Sequence, residues 1–238
     1  MLAENFHHVR SGLLAKEIHR PATRNLELLE FIAGELPRWR DHPDRPDKEN
    51  ETALTEYLCN HLTSVANDST GWSHIQFQIE AGDESQAERK IDLVAKPRSC
   101  VLFIENRRHS QFQSLFPIEC KRLPTPKGKD RDEREYVFTK DGTTGGVQRF
   151  KFGHHGSTHG FAAMIGYVQE RDFTHWLNEI NGWIRGLAKE TGSAWSEADL
   201  LEKANDGSTE DVCALHSCHA RPSTLDICAL RHLWIKMN

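Results

Sequence analysis

Apolar residues recur three or four positions apart in three stretches of the chain, and this spacing predicts three amphipathic helices. The first lies in PATRNLELLEFIAGELPRW, residues 21–39, and is expected to end near Pro37, because proline interrupts helical hydrogen bonding. The second is NETALTEYLCNHLTSVA, residues 50–66, with Asn50 as its expected N-cap. The third is RDFTHWLNEINGWIRGLAKE, residues 171–190. A linker rich in proline and charge, residues 40–50, separates the first two helices.

Alternating or continuous apolar segments predict the strands. HIQFQIE, ERKIDLVAK, SCVLFIEN and SLFPIECKRL are expected to be successive strands of one sheet, and FAAMIGYV and TLDICALRHLWIKM are expected to be later strands. Because helices precede and follow these strands along the chain, the fold class expected is α/β, a mixed β-sheet flanked by α-helices.

Length and composition predict one globular domain. The chain has 238 residues, 37% hydrophobic and 27% charged, which suffices for a sizeable core. We expect a single domain over 1–238, with a helical extension at 1–48 and a core at 49–238. No apolar run approaches the roughly 20 residues that span a bilayer, and MLAENFHHVRSGLL lacks the order of a secretory signal. Six scattered cysteines indicate reduced thiols, so we expect a cytoplasmic protein without membrane contact.

Charge is distributed unevenly along the chain. The net charge is −5, yet residues 96–151 contain 13 Lys and Arg against 7 Asp and Glu, while the rest contains 17 against 28. A basic middle on an acidic chain is typical of a surface that binds a phosphate backbone, although basic residues also decorate ordinary loops.

Candidate chemistry lies in FPIECKRL, residues 116–123. Side chains alternate across a strand, so Glu119 and Lys121 lie on one face while Ile118 and Cys120 lie on the other. Asp92, in KIDLVAK, is the polar residue of another apolar strand. If the two strands pair, two carboxylates and a lysine converge, and a hard divalent cation is the usual partner of such carboxylates. The alternatives are an edge strand whose charges face water and a surface aspartate bonded to a neighbouring turn.

Asp92 followed, after 26 intervening residues, by Glu119-Cys120-Lys121 resembles the motif of the PD-(D/E)xK superfamily, the restriction-endonuclease-like nucleases. Ile91 stands where the proline of the motif would be. The resemblance implies a restriction-endonuclease-like fold and hydrolysis of DNA with Mg²⁺, for which Mn²⁺ would substitute. Asp92, Glu119 and the backbone carbonyl of Cys120 would bind the ion, and Lys121 would position the attacking water and stabilise the phosphorane.

The family also tends to place an acidic residue on a preceding helix, and Glu51 fits this role. It lies three and seven residues before Leu54 and Leu58, on the apolar stripe of its helix, and would support a second ion. The alternative is that Glu51 only complements the dipole of the first helical turn.

Further basic and polar residues are candidates for contacts with the DNA backbone. They are Arg122, then Lys127, Lys129, Arg131 and Arg134 of a charged loop, and Gln148 and Arg149 of a glycine-rich stretch that is alternatively an ordinary loop. GGVQRF with GFAAMIGYVQ is similar to a subset of nuclease domains of bacterial anti-phage defence systems. This similarity implies a role in defence against foreign DNA, with a partner protein of a defence complex as one arrangement. Cleavage of both DNA strands would favour the other arrangement, a homodimer.

Two other functions compete with the nuclease. The same fold would serve as a catalytically silent nucleic-acid-binding or scaffolding subunit, which the acidic remainder of the chain favours. A zinc-stabilised module would use one of two clusters, Cys213, His216, Cys218 and His219, or His154, His155 and His159. Neither cluster has the two separated ligand pairs typical of structural zinc, so ordinary strand or loop residues are the favoured interpretation.

Overall fold

The computed structural model describes residues 23–237, except 85, 87, 105, 106, 130, 141, 206 and 223–225. Residues 1–22 of the expected N-terminal extension therefore lie outside the described residues. The helices are α1 (Thr23–Arg40), α2 (Glu51–Asp68), α3 (Gly146–Lys151) and α4 (Phe173–Ala188), with a short 3₁₀ helix at Glu197–Asp199. The strands are β1 (Ile75–Gly82), β2 (Lys90–Pro97), β3 (Leu102–Ile104), β4 (Arg107–His109), β5 (Phe116–Leu123), β6 (Phe161–Val168), β7 (Glu202–Lys203), β8 (Val212–Ala220) and β9 (Ile227–Lys236).

Seven strands form one mixed sheet in the order β1-β2-β5-β6-β9-β8-β7. The pairs β1–β2 and β2–β5 are antiparallel, the central pairs β5–β6 and β6–β9 are parallel, and β9–β8 and β8–β7 are antiparallel. The expected α/β class, a large mixed sheet with helices against it, is therefore confirmed. Strand β5 lies inside the sheet between β2 and β6, which is the position that matters for the site.

Each face of the sheet is covered by helices. On one face, Leu28 and Ile32 of α1 and Leu58 of α2 belong to a buried cluster with Ile118 and Ile165 of the sheet. On the other face, Trp176, Ile180 and Ile184 of α4 belong to a second cluster with Met164 and Trp234. The consecutive residues Met164 and Ile165 contribute to opposite clusters because side chains alternate along β6.

The predicted helices are confirmed, with one boundary corrected. The Asn50 side chain caps α2 by accepting a hydrogen bond from the Ala53 N–H at 3.0 Å, as the sequence predicts. Helix α1 passes through Pro37 and continues to Arg40, so the expected end near Pro37 was wrong by one turn. Proline removes one donor but leaves its own carbonyl available, and Pro37 O accepts from the Asp41 N–H at 3.0 Å.

The segment SCVLFIEN does not join the main sheet, which corrects the prediction of four successive strands. Its strand β3 pairs only with β4, in a separate two-stranded antiparallel ribbon. The place beside β2 is taken by β5, with Leu93 opposite Ile118. Because β2 and β5 pair directly, the segment that connects them in the sequence cannot lie between them in the sheet.

Two further observations bear on the sequence expectations. All six cysteines are free thiols. Within the described part of the chain, no helix combines the length and the apolar character needed to cross a membrane.

Candidate active site

The candidate site lies where β2 and β5 diverge. Antiparallel pairing of the two strands covers Leu93–Ala95 and Phe116–Ile118. Beyond this pairing, the Cys120 N–H donates to Oδ2 of the Asp92 side chain at 2.9 Å. A carboxylate therefore takes the place of the backbone carbonyl that a continued strand pair would supply. This bond places Asp92 directly beside the Glu119-Cys120-Lys121 segment.

Three carboxylates from three elements surround the Lys121 ammonium. Its Nζ lies 3.1 Å from Glu119 Oε1, 3.2 Å from Glu51 Oε1 and 3.9 Å from Asp92 Oδ2. The Lys121 side chain is 6% exposed and the Glu119 side chain is fully buried. An edge strand with charges facing water is therefore excluded for these two residues.

Glu51 joins helix α2 to the site. As the first residue of α2, it extends its carboxylate past the helix end, where Oε1 contacts Lys121 and Oε2 accepts from the Arg122 N–H at 3.1 Å. The side chain remains 23% exposed. A favourable interaction with the helix dipole would not require these two contacts to β5. Glu51 therefore belongs to one charged cluster with Asp92, Glu119 and Lys121.

The charges of Glu119 and Lys121 depend on each other. Burial by itself would raise the pKa of Glu119, but the positive charges of Lys121 and Arg149 outweigh burial and hold that pKa well below its usual range. Burial by itself would lower the pKa of Lys121, but the charges of Glu119 and Asp92 outweigh it and raise that pKa. Both groups are therefore ionised at neutral pH.

Asp92 differs from Glu119 in its electrostatics. Burial, followed by repulsion from Glu119, raises the pKa of Asp92 to about 7. Its side chain keeps 28% of its surface exposed, and among the described residues no hydrogen bond engages its second oxygen, Oδ1. Asp92 thus presents an open carboxylate oxygen beside an excess of negative charge.

Two contacts to Glu119 were not assigned by the sequence. Arg149, expected to bind the DNA backbone, instead directs Nη1 to Glu119 Oε1. His155, considered only as part of a zinc cluster, lies with Nδ1 3.2 Å from Glu119 Oε2. Both residues come from the glycine-rich stretch, in which α3 begins at Gly146. Only the pattern GGVQRF indicated that this stretch belongs to the site.

The other candidate DNA contacts differ in availability. Gln148 is buried and accepts a hydrogen bond from the Thr139 N–H at 3.1 Å, so it does not face a substrate. Arg122 donates from Nη1 to the Glu49 carbonyl at 3.1 Å.

The charged loop is partly neutralised by its own carboxylates. Arg131 pairs with Glu135 at 2.8 Å and Arg134 pairs with Asp132 at 2.9 Å. Lys127 and Lys129 are exposed. These two lysines are the loop residues most available to a phosphate.

Cys213, His216, Cys218 and His219 are ordinary strand residues, as the sequence favours, and they do not converge as the alternative zinc site would require. Cys213 and His219 are on the face of β8 that packs toward Trp234, while His216 and Cys218 alternate to the other face. His219 is instead part of a buried hydrogen-bonded chain. The chain runs Lys151–Asp199–His219–Ser217–His232–Tyr136, with separations of 2.7 to 2.9 Å. Each of these buried polar groups therefore has a hydrogen-bond partner beside the second hydrophobic cluster.

The main cluster has the ligand chemistry of a hard divalent cation. Glu51, Asp92 and Glu119 supply carboxylate oxygens, which Mg²⁺ and Mn²⁺ prefer. The open oxygen of Asp92 and the mutual repulsion of Asp92 and Glu119 fit a cation between them. In the arrangement described, however, Lys121 and Arg149 occupy Glu119 Oε1, and no group of three or more His, Cys, Asp or Glu side chains among the described residues is arranged to hold a metal ion. A cation at Glu119 would have to compete with Lys121 and Arg149 at Oε1 or with His155 at Oε2.

Comparisons of the chain with family models, with curated proteins and with solved structures find no match.

Proposed function

We propose that this protein is a metal-dependent nuclease that hydrolyses DNA phosphodiester bonds on a restriction-endonuclease-like fold. The observation that carries the proposal is the convergence of Glu51, Asp92 and Glu119 on Lys121 at the divergence of β2 and β5. The mixed sheet supports the fold assignment, because Asp92 and Glu119 lie on adjacent antiparallel strands and β5 pairs in parallel with β6 on its other side.

The carboxylates would hold Mg²⁺. Asp92 and Glu119, together with the carbonyl of Cys120, are the proposed ligands, and Glu51 would support a second ion or its water. When bound, the ion would polarise the phosphate and lower the pKa of the attacking water.

Lys121 is the proposed electrostatic catalyst. Its ammonium is fixed by carboxylates on three sides and shielded from bulk water, so it needs little reorganisation during the reaction. In that position it orients the water and offsets the negative charge that develops on the phosphorane. Glu51 contributes by holding Nζ from the helix side.

Cleavage of plasmid DNA in different metals tests the proposal. We expect cleavage with Mg²⁺ or Mn²⁺ and none in excess chelator, whereas Ca²⁺ should bind without turnover because its looser coordination places the water poorly. Strong cleavage in the chelator would rule out this mechanism.

The second candidate, a nucleic-acid-binding or scaffolding subunit, is favoured by one observation. Both oxygens of Glu119 are already engaged, by Lys121, Arg149 and His155, so this buried carboxylate has polar partners without a metal ion. A protein that binds DNA but cleaves none with any of these metals would establish this alternative.

The biological setting we propose is defence against foreign DNA in bacteria. It depends on the similarity of GGVQRF and GFAAMIGYVQ to defence nucleases. Concerted cleavage of both DNA strands favours two sites, so we propose a homodimer or a complex with a partner protein. Light scattering of the purified chain, alone and with DNA, measures whether it is a dimer.

A further inference from the structure

The β3–β4 ribbon carries an unusual concentration of exposed apolar surface. Among the described residues, four large hydrophobic side chains are exposed: Val101 (38%), Phe103 (57%), Phe112 (80%) and Ile227 (63%). Three of the four lie within twelve positions of each other, in or beside the ribbon. The inner face of the ribbon is ordinary core, since Leu102 and His109 are each 3% exposed. Grouped apolar surface of this kind indicates a contact with a partner.

Arginine accompanies the exposed rings. Arg108 lies directly opposite Phe103 in the ribbon register and is also exposed. Of the arginines in segment 98–114, Arg98 donates to Asn67 and Arg107 pairs with Glu84, so the guanidinium beside the exposed ring is that of Arg108. A ring that stacks on a base, beside a guanidinium that binds a phosphate, is the combination by which proteins bind unpaired nucleic acid.

The ribbon is tied to the loop that carries a contact of the candidate site. Arg107 donates from Nη2 to Glu84 Oε2 at 2.7 Å and from Nη1 to the Thr158 carbonyl at 3.0 Å. Thr158 is three residues after His155, which contacts Glu119. These contacts hold the ribbon against the loop that leads to the cluster.

We propose that the exposed surface of the ribbon and of the turn that follows it, with Val101, Phe103, Arg108 and Phe112, binds single-stranded nucleic acid. The rings of Phe103 and Phe112 stack on bases, and Arg108 binds the phosphate between them. Unpaired strands are favoured over duplex because the base faces of a duplex are already stacked on each other. The inference rests on the proposed function, since it makes the ribbon the substrate contact of that site.

Binding of a fluorescein-labelled single-stranded dT oligonucleotide, measured by anisotropy in excess chelator, tests the ribbon without requiring cleavage. Phe103→Ala combined with Phe112→Ala should weaken binding by at least about tenfold, and Arg108→Gln should weaken it less. Arg185→Gln is the matched control, because Arg185 is exposed on α4, whose buried face packs in the second core. Equal thermal unfolding of each variant and the parent establishes that the fold is intact.

Three results would overturn the proposal. The first is that the parent does not bind the oligonucleotide. The second is that the parent and the double phenylalanine variant bind it with equal affinity. The third is that the variant loses affinity for single-stranded and duplex DNA by the same factor. The second result would leave a protein as the partner of the ribbon.

The experiments distinguish failure of the ribbon proposal from failure of the nuclease proposal. A double phenylalanine variant that binds like the parent, from a parent that cleaves with Mg²⁺, overturns only the ribbon. A parent that binds through the ribbon but never cleaves supports the ribbon and overturns the nuclease.

Discussion

At the scale of single residues, Glu119 is the most constrained group of the cluster. It is fully buried and its two oxygens have three partners, Lys121, Arg149 and His155. A buried carboxylate depends on its partners for stability, because removing one leaves charge that the interior does not solvate.

Arg149→Gln should therefore destabilise the protein by about 2–4 kcal/mol in urea unfolding. Adding Glu119→Gln should recover part of the loss, because the uncompensated charge is then removed. Arg131→Gln is the control, since its ion pair with Glu135 is on the surface and should contribute less than about 1 kcal/mol. An Arg149→Gln variant as stable as the parent would show that this contact does not hold Glu119.

The raised pKa of Asp92 predicts a dependence of stability on pH. A carboxyl whose pKa is about 7 when folded and 3.8 as an ordinary side chain binds its proton more tightly in the folded state. Its contribution to stability is complete below pH 3.8 and is lost as the pH rises through 7. Asp92→Asn removes this loss, so the variant should gain about 2 kcal/mol relative to the parent between pH 5 and pH 8. A constant difference across that range would contradict the account.

Single residues were also where the sequence was most informative about the site. Alternation along β5 was enough to place Glu119 and Lys121 on one face, and Asp92 stood out as a polar residue in an apolar strand. Arg149 and His155 were not assigned to Glu119, because contact across some 30 positions depends on where a short helix packs. No local pattern reports that packing.

At the scale of elements, helix α3 positions Arg149. The helix begins where the chain passes close to its neighbours, since a Cβ added at Gly146 would lie 2.5 Å from Met164 Cε and 2.8 Å from the Tyr136 carbonyl. At its other end, Lys151 forms a buried ion pair with Asp199 at 2.8 Å. Arg221 donates to the carbonyls of Phe150, Gly156 and Ser157, which fixes the turn that follows.

Gly146→Ala should displace α3 and lower the melting temperature by several degrees, because a backbone carbonyl cannot move aside as a flexible side chain would. Gly186→Ala is the matched control on helix α4. An added Cβ there meets nothing within 4 Å, so the change should stabilise the protein by up to about 1 kcal/mol. If Gly146→Ala behaves like Gly186→Ala, α3 is not held by this close approach.

Elements with long periodic patterns were predicted well, and short ones were not. Helices α2 and α4 and strands β5 and β6 were confirmed, since each has an apolar stripe or run that only one structure satisfies. Helix α3 has six residues flanked by glycines, and its formation depends on tertiary contacts. The ribbon was misassigned because β3 looks like a sheet strand locally, while its place is decided by the pairing of β2 with β5.

At the scale of the whole molecule, the parallel pairing of β5 with β6 and of β6 with β9 places residues far apart in sequence on adjacent strands. Such pairings were not predictable from the sequence, although the layered α/β class was. The fold also decides which charges of the basic loop are offset by an ion pair, because Arg131 pairs with Glu135 and Arg134 pairs with Asp132.

These ion pairs predict which loop residues affect DNA binding. Lys127→Gln with Lys129→Gln should reduce the slope of log affinity against log salt by up to about 2, since two phosphate contacts are lost. Arg131→Gln with Arg134→Gln should change the slope by less. Equal effects of the two pairs would mean that the ion pairs open when DNA binds, and unchanged slopes would mean that the loop is only solvated.

Lys121→Met tests the central claim most directly, through the rate of Mg²⁺-dependent DNA cleavage at saturating substrate. The methionine keeps the apolar stem and removes the ammonium that lies among Glu51, Asp92 and Glu119. With folding verified by circular dichroism and metal binding retained in titration calorimetry, the rate should fall by about a hundred- to a thousandfold. A Lys121→Met variant that cleaves DNA as fast as the parent would contradict the proposed site.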